Sequence, residues 1–485
     1  MSKESKYAKD SIIGVAGKVS QLVGGYGSLW LLTSILSDVA YGGYVAALAA
    51  IALIALLAQA GLKQATIQRV GELAADKKQA IPEYAGAAIA WVGIGSLGVT
   101  IATWLLAPLM SPFVDPSVLE WVQLLTLLVP GMALLPICGG ILRGLERVST
   151  AVVLERITVQ AIRLVGLAIV WLYWQDPAAV VLALGLAYYV PVGLFALRTR
   201  GWQYLNLTGM PIAHIRYSGY LLVNSIASRF LKNTDVLLLA SLATLPATGG
   251  YNVAWKLAIV ARYGDQILTN TIQPRLSKYL AASDITELVQ EFNQVRDLSI
   301  FATIPVLIVV LLFGESLLGL FGAYSNQYAV LVVLTVGASV NAMFGSIGQI
   351  LIMGKRGQLL FVNTVVSLGG NVALNLLLIP RYGTMGAALA TVFTVYFLTN
   401  LIGMFEVYYF MEIDTVDWMP IISVTILSLV VALGLAEVIT TTAAILTATG
   451  IGLLLLRRQT EFIRELLSAG WELITRVSED SNTNR

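Results

Sequence analysis

Several basic side chains lie within segments that are otherwise apolar enough to cross a membrane. Arg229 and Lys232 are three residues apart in the apolar segment 217–245, so they share one helical face. Other basic or polar residues that repeat at helical spacing are Lys18, Arg156, Gln160, Arg163, Asn233, Asn252 and Lys256. A charge at the centre of a bilayer costs roughly 2.5–3.5 kcal/mol, so we expect these cations to face a cavity rather than lipid.

Acidic residues are too few to neutralise these cations. Asp235 shares a segment with Lys232, and Glu155 and Asp265 add carboxylates nearer the predicted cytoplasmic side. Asp235 is interpreted either as the ion-pair partner of Lys232 or as a proton carrier. A cavity of net positive charge predicts an anionic ligand, and phosphate suits both Arg and Lys. The alternative is that the cations form inter-helix ion pairs or, as for Lys18, extend to the membrane surface.

The composition identifies an integral membrane protein. Of the 485 residues, 57% are hydrophobic and 12% are charged, and the mean hydropathy is +0.80. The net charge of +2 gives no indication of nucleic-acid binding. The single cysteine and single histidine exclude an intramolecular disulfide and a cysteine-rich zinc site, and they leave little scope for histidine acid–base chemistry. Transport is therefore favoured over catalysis, and no cofactor is expected.

The apolar segments predict an all-α polytopic protein with about 14 transmembrane helices, each of about 20 mainly apolar residues. The predicted spans are 11–36, 40–62, 84–106, 118–142, 150–174, 178–197, 217–245, 249–272, 297–320, 328–353, 359–379, 384–410, 420–438 and 440–456. Lysine and arginine collect in alternate loops, which predicts that both termini are cytoplasmic. Pro130, Pro136, Pro191 and Pro305 fall inside spans, where each is expected to kink its helix.

Two short motifs indicate an internal duplication. The Gly-Gly-Tyr sequence at 42–44 returns at 249–251, and Gly144 corresponds to Gly354 at nearly the same separation. Six spans per copy restore the same orientation, so the motifs predict two parallel six-helix lobes around a central cavity.

The duplication divides the chain into predicted regions. They are an N-terminal lobe (1–210), a C-terminal lobe (211–412), two additional transmembrane helices (413–458), and a cytoplasmic amphipathic helix with a disordered tail (459–485). A second surface helix is predicted near 284–295, where Asp284 and Glu287 fit a capping box and apolar residues follow at helical spacing. A packing element or a partner helix is an equal alternative for these surface helices.

The seventh, eighth and eleventh spans also carry a family resemblance. Asn233-Thr234-Asp235-Val236-Leu237-Leu238, with the stretch 250–256, resembles the seventh and eighth helices of bacterial polysaccharide transporters. The stretch 375–383, with Gly386-Ala387-Ala388, resembles the signature between their eleventh and twelfth helices. To about residue 410 the chain resembles O-antigen flippases (Wzx-type) of the multidrug/oligosaccharidyl-lipid/polysaccharide (MOP) exporter superfamily.

This resemblance implies movement of an undecaprenyl-pyrophosphate-linked oligosaccharide to the outer leaflet of the cell inner membrane, for surface polysaccharide (lipopolysaccharide) biosynthesis. It implies alternating access coupled to a proton or sodium gradient and no enzymatic activity. The implied partners are the lipid-linked oligosaccharide, the bilayer and the polysaccharide polymerase machinery. The expected pyrophosphate-binding cations are Lys18, Arg156, Arg163, Arg229, Lys232 and Lys256, with Gln160, Asn233 and Asn252 as polar neighbours and Asp235 as the candidate coupling residue.

Three other functions remain open. The two extra helices resemble those of lipid II flippases, where such helices form a groove for the lipid tail. A drug/cation antiporter of the same superfamily would need an acidic cavity, which the scarcity of intramembrane carboxylates disfavours. A membrane glycan polymerase or ligase would need a sizeable external loop, whereas the predicted outward loops are short.

Overall fold

The computed structural model describes residues 3–199, 212–345 and 347–413. Within these ranges every regular element is a helix, as expected of a chain that must satisfy its backbone hydrogen bonds inside a bilayer. The predicted all-α polytopic class is therefore confirmed. The two additional helices predicted for 413–458 and the amphipathic helix predicted for 459–485 lie almost entirely outside the described residues.

Six helical stretches of the described chain are long and apolar enough to cross a membrane. They are Asp38–Asp76, Lys78–Met110, Pro177–Thr199, Ile285–Gly319, Ser325–Met343 and Gly357–Met411. A bent pair, Pro116–Thr126 with Val129–Gly144, raises the number to seven if it is one span. The count of 14 stays a prediction.

The chain forms two compact units, which differ in extent from the predicted lobes. The first comprises Met1–Val253 with Leu320–Ala323 and Ile379–Thr384. Its helices are α1 (Lys3–Ile35), α2 (Asp38–Gln59), α3 (Leu62–Asp76), α4 (Ile81–Leu106), α5 (Pro116–Thr126), α6 (Val129–Gly144), α7 (Val148–Val152), α8 (Val159–Tyr173), α9 (Pro177–Thr199), α10 (Ile212–Leu242) and the start of α11 (Leu245–Ala258). A π-helical turn, Val153–Thr158, joins α7 to α8. The two predicted lobes stay a prediction.

The second unit contains the rest of α11 and the helices that follow it, except for Ile379–Thr384, which belongs to the first unit. These are α12 (Ala261–Ala282), α13 (Ile285–Gly319), α14 (Tyr328–Met343), α15 (Ile347–Met353), α16 (Gly357–Thr391, interrupted at Gly383) and α17 (Thr399–Met411). A π-helical turn, Val392–Leu398, precedes α17. The predicted eighth span therefore consists of two helices, because the chain breaks between α11 and α12.

Proline shapes the predicted fourth span differently from expectation. The span is two helices, α5 and α6, that meet at 46°. Pro130 does not kink a helix interior: it lies in the first turn of α6, where the missing N–H is tolerated. Pro136, Pro191 and Pro305 do lie inside α6, α9 and α13, as predicted.

The helix predicted at the membrane surface near 284–295 is instead the first third of α13. Asp284 does accept a hydrogen bond from the Glu287 backbone N–H (3.2 Å), as the capping box predicts. However, α13 continues without interruption into the ninth predicted span. Leu288 and Phe292 are 0% and 2% exposed, in a core shared with α12 and α14. The packing alternative is therefore correct, because the apolar face is covered by protein.

Candidate functional site

A cavity of about 290 Å³ lies between α2, α6 and α10 of the first unit. Its lining residues are Ala52, Ala55, Leu56 and Gln59 from α2, Met132 and Pro136 from α6, and Ser225, Ser228, Arg229 and Lys232 from α10. The small side chains of α2 leave space opposite the long side chains of α10. We call this space the cationic cavity.

Arg229 and Lys232 give this cavity its charge. Both side chains are exposed, and the lining includes no acidic residue. Among the described side chains, none places a carboxylate within 4 Å of Arg229. Asn233, one turn further along α10, donates a hydrogen bond to the Arg229 carbonyl at 2.8 Å. The cavity is thus chemically suited to an anion.

Gln59 is a polar residue of the cationic cavity that was not predicted from the sequence. It ends α2, is 8% exposed, and lines the cavity beside the two cations. Its Nε2 lies 3.5 Å from the carbonyl oxygen of Ala133, at the long limit of a hydrogen bond. The sequence signal that could have identified it is the position of Gln59, a side-chain amide at the end of the long apolar helix α2.

Asp235 lies one turn beyond Lys232 and is 7% exposed. Its Oδ2 accepts a hydrogen bond of 2.7 Å from the Tyr251 hydroxyl on α11. A buried carboxylate is costly unless it is hydrogen-bonded, so Tyr251 stabilises the position. Tyr251 belongs to the repeated Gly-Gly-Tyr motif, but its contact with Asp235 was not predicted.

The starts of α2 and α11 approach each other closely. Gly42 and Gly249, which begin the two copies of the Gly-Gly-Tyr motif, are each the fifth residue of their helix. A Cβ on Gly42 would overlap the Leu245 carbonyl group at the start of α11. Beside this contact the Tyr41 hydroxyl donates a hydrogen bond to Asn252 Oδ1 at 3.0 Å. Asn252 therefore lies at this helix contact, outside the lining of the cationic cavity.

Four other predicted site residues lie on α1, α8 and the π-helical turn before α8. Arg163 donates a hydrogen bond to the Tyr188 hydroxyl on α9 at 3.2 Å. Gln160 packs against Gly24, and Arg156 packs against Gly17 on α1. Lys18 is partly exposed. None of the four lines the cationic cavity, and their role in substrate binding stays a prediction.

The second unit carries Lys256 and several buried polar groups. Lys256 is partly buried, near the end of α11. Asp265 is 8% exposed, and Thr269 donates a long hydrogen bond of 3.4 Å to it. Two further buried polar features were not predicted from the sequence. They are the Arg296–Asp297 ion pair (3.0 Å) and Glu406, which accepts a 2.6 Å hydrogen bond from an asparagine of α16.

A larger, mainly apolar cavity of about 730 Å³ also lies along α2 and α10. Its lining includes Ala46, Ala50 and Ile54 of α2, Leu237 and Ala240 of α10, and residues from α4, α5 and the intervening loop. We call it the apolar cavity. Lys232 and Ala240 are eight residues apart, or about 12 Å along α10. The same two helices therefore present a cationic surface and, about two turns away, an apolar one.

A bidentate ion pair holds α6 to the π-helical turn before α8. Arg143 Nη1 and Nη2 lie 2.9 Å and 2.5 Å from the two carboxylate oxygens of Glu155. The carboxylate crosses α6 at Gly139, where a Cβ would overlap it. Both side chains are largely buried, at 22% and 13% exposure.

Replacing Glu155 by glutamine is expected to lower the free energy of unfolding by about 2–4 kcal/mol, because it leaves Arg143 partly buried without its counter-charge. Thermal melting of the purified protein in detergent measures this loss. The matched control is Glu72→Gln, which breaks the exposed Arg69–Glu72 pair (3.0 Å) and should cost less than about 1 kcal/mol. Equal melting temperatures for the two variants would contradict a larger stabilising contribution from the Arg143–Glu155 ion pair.

Comparison with known proteins gives the chain its family. Residues 8–280 match the family described as "Polysaccharide biosynthesis protein". A relative from Haloferax volcanii, named "Probable low-salt glycan biosynthesis flippase Agl15", is 27% identical over 177 residues. That match covers 36% of this chain and 38% of the relative, so the chain spans well under half the length of the relative it matches.

Solved structures of similar fold are membrane transporters. The lipid II flippase MurJ in an inward closed conformation has a TM-score of 0.67 at 14% identity, covering 94% of this chain and 99% of that one. An inward-facing multidrug resistance MATE transporter of the MOP superfamily has a TM-score of 0.63 at 14% identity, covering 82% and 95%. A MOP superfamily transporter from Pyrococcus furiosus has a TM-score of 0.58 at 16% identity, covering 84% and 96%. These likenesses show the fold.

Among the described residues, no group of three or more His, Cys, Asp or Glu side chains is placed to hold a metal ion. The resemblance to polysaccharide biosynthesis proteins that the sequence predicted is confirmed, and the chain belongs to the polysaccharide biosynthesis protein family.

Proposed function

We propose that the protein is a flippase that moves a lipid-linked oligosaccharide, carried on a polyprenyl pyrophosphate such as undecaprenyl pyrophosphate, from the cytoplasmic to the outer leaflet. The observation that carries this proposal is the cationic cavity, where Arg229 and Lys232 face a space without acidic lining. Arginine binds phosphate oxygens through its guanidinium fork, and lysine binds them as a point charge.

The apolar cavity supports a lipid-linked substrate over a free anion. A lipid-linked sugar joins a charged phosphate to a long hydrocarbon tail, so its site needs adjacent cationic and apolar surfaces. The pair α2 and α10 supplies both, at Lys232 and near Ala240, about 12 Å apart along α10. A flippase named for glycan biosynthesis is among the chain's relatives, in agreement with this substrate class.

A drug/cation antiporter of the same superfamily is the competing function, since MATE transporters share the fold. A site for a cationic drug would be expected to contain a carboxylate, whereas the lining of the cationic cavity contains Arg229 and Lys232 and no acidic residue. One structural relative, from Pyrococcus furiosus, is itself described by a binding pocket of reverse polarity that suggests a different function. The fold alone therefore does not favour drug export.

The test is flipping by the purified protein in proteoliposomes. A fluorescent polyprenyl-pyrophosphate oligosaccharide is expected to cross the bilayer, whereas a neutral glycolipid with the same tail is not. An imposed proton or sodium gradient should change the rate, and Asp235→Asn should remove that dependence if Asp235 is the coupling residue. Equal rates for the charged and neutral lipids, or export of organic cations in their place, would overturn the proposed substrate.

Filling the apolar cavity is expected to slow flipping of long-chain substrates. Ala240→Trp would occupy space that the tail needs, so we expect a loss of about tenfold or more, equivalent to about 1.4 kcal/mol or more. A substrate analogue with a short tail should be affected less in the same flipping assay. The matched control is Leu242→Trp, a change at an exposed position of α10 that does not line the cavity.

A further inference from the structure

A third cavity of the first unit, of about 720 Å³, lies where α3, α4 and α6 come together. It shares no lining residue with the cationic cavity or the apolar cavity. Volumes of roughly 300–1,000 Å³ are typical of small-molecule sites. We call it the α3 cavity.

The floor of the α3 cavity is built from small and aliphatic residues. Ile67, Gly71 and Ala74 line it from one face of α3. Gly144 allows α6 to approach that face closely, since a Cβ there would lie 2.7 Å from Cβ of Val70. A Cβ on Gly71, in contrast, would have its nearest neighbour at 3.9 Å. The space above Gly71 is therefore open.

The rim of the α3 cavity is basic. Lys78, Arg143 and Arg147 line it, together with one acidic residue, Glu146. Arg143 is neutralised by Glu155. Lys78 and Arg147 are exposed, and neither has a carboxylate within 4 Å among the described side chains. Two cations are thus available to an anion above the apolar floor.

The α3 cavity also lies at the ends of helices, which is the level of the lipid phosphates for helices that cross a bilayer. Lys78 stands three residues before α4 begins, and Arg147 stands three residues after α6 ends. The excess of Lys and Arg in these loops predicts that this is the cytoplasmic side. Basic pockets between membrane helices on that side are suited to anionic lipid head groups.

We propose that the α3 cavity binds an anionic phospholipid of the cytoplasmic leaflet. Lys78 and Arg147 hold its phosphate, and the first part of an acyl chain lies on the floor formed by α3. The lining favours a lipid over the glycan of the transported substrate, because it contains no hydroxyl, amide or aromatic side chain that would bind a sugar. A lipid bound only by the folded protein also stabilises it by mass action.

The test is lipid retention by the full-length purified protein, measured by native mass spectrometry after exchange with phosphatidylglycerol or phosphatidylcholine. Wild-type protein is expected to retain phosphatidylglycerol preferentially. The double change Lys78→Gln and Arg147→Gln should weaken that binding by about tenfold or more, because two charge-assisted contacts are lost. The matched control is Lys77→Gln, which removes an adjacent exposed cation that does not line the cavity.

A second variant, Ala75→Trp, keeps every charge and fills the cavity from an exposed position of α3. It should reduce phosphatidylglycerol retention as the double charge variant does. Unchanged retention in either variant, or an equal loss in Lys77→Gln, would overturn the proposal. Displacement of the lipid by inorganic pyrophosphate at millimolar concentration would overturn it too, because the site would then recognise phosphate without a tail. Arg229 and Lys232 are intact in all these variants, so the outcome is independent of the proposed flippase substrate.

Discussion

Replacing Arg229 and Lys232 together by glutamine is expected to reduce flipping of a pyrophosphate-linked oligosaccharide by about tenfold to a hundredfold. Each side chain would lose a charge-assisted contact to phosphate, worth about 1.5–3 kcal/mol, and about 1.4 kcal/mol corresponds to a factor of ten. The two changes act on one cavity, so their effects should not add fully. The measurement is the flipping rate in proteoliposomes, supported by surface polysaccharide display in cells.

The controls for this prediction separate charge from folding. Both side chains are exposed, so the double variant should reach the membrane and melt close to the wild-type temperature. Arg229→Lys keeps the charge and should retain more activity than Arg229→Gln. Arg198→Gln neutralises an exposed cation at the end of α9 that lines none of the three cavities, and it should flip normally. Normal glycan display by the double variant would remove the support for an anionic substrate.

The features that sequence predicted well are those set by residue type and spacing. Long apolar segments must form helices in a bilayer, so the all-α class followed from composition. The spacing of Arg229 and Lys232 placed them on one face, and the structure has both at one cavity. The repeated Gly-Gly-Tyr motif begins at the fifth residue of both α2 and α11, and the two parallel lobes inferred from it stay a prediction.

Helix breaks were harder to predict, because hydropathy does not report them. The predicted fourth span is bent between α5 and α6, and the predicted eighth is divided between α11 and α12. One break did have a sequence signal: Gly383, at the predicted boundary between spans eleven and twelve, has φ +56° and ψ −132°. Such backbone favours glycine. The extension of α13 ahead of the predicted ninth span had no sequence signal, because the apolar spacing at Leu288 fits a membrane-surface helix and a packed helix equally well.

Several polar residues of the interior were missed because their burial and their contacts depend on how the helices pack. Tyr251 is apolar enough to be part of a transmembrane segment. Its hydrogen bond to Asp235 depends on how α10 and α11 pack against each other. Asp297 and Glu406 lie near predicted span ends, where a charge costs little, yet they are 7% and 9% exposed. Burial by neighbouring helices is a tertiary property. The distance of a residue from the end of its span therefore does not predict whether the residue is buried.

The close contact between α2 and α11 gives the second large expected effect. Gly42→Leu is expected to reduce flipping by about tenfold or more and to lower the free energy of unfolding by about 1–3 kcal/mol, as overpacking typically does. The side chain would begin where the Leu245 carbonyl group lies. A backbone group cannot rotate away as a flexible side chain can, so α11 would have to shift. The family resemblance implies transport by alternating access. Displacing the contact between α2 and α11 is expected to slow that transport cycle.

Two further variants distinguish the contact from a general effect of added bulk. Gly98→Leu places the same side chain on α4, where a Cβ has no neighbour within 4 Å, and it should leave flipping and melting temperature unchanged. Tyr41→Phe keeps the packing but removes the hydrogen bond to Asn252, at a cost of about 0.5–1.5 kcal/mol. If Gly42→Leu flipped substrate as fast as Gly98→Leu, close approach of the two helices would not be needed for transport. A loss confined to Gly42→Leu, with the protein still monodisperse in detergent, would assign the defect to this contact.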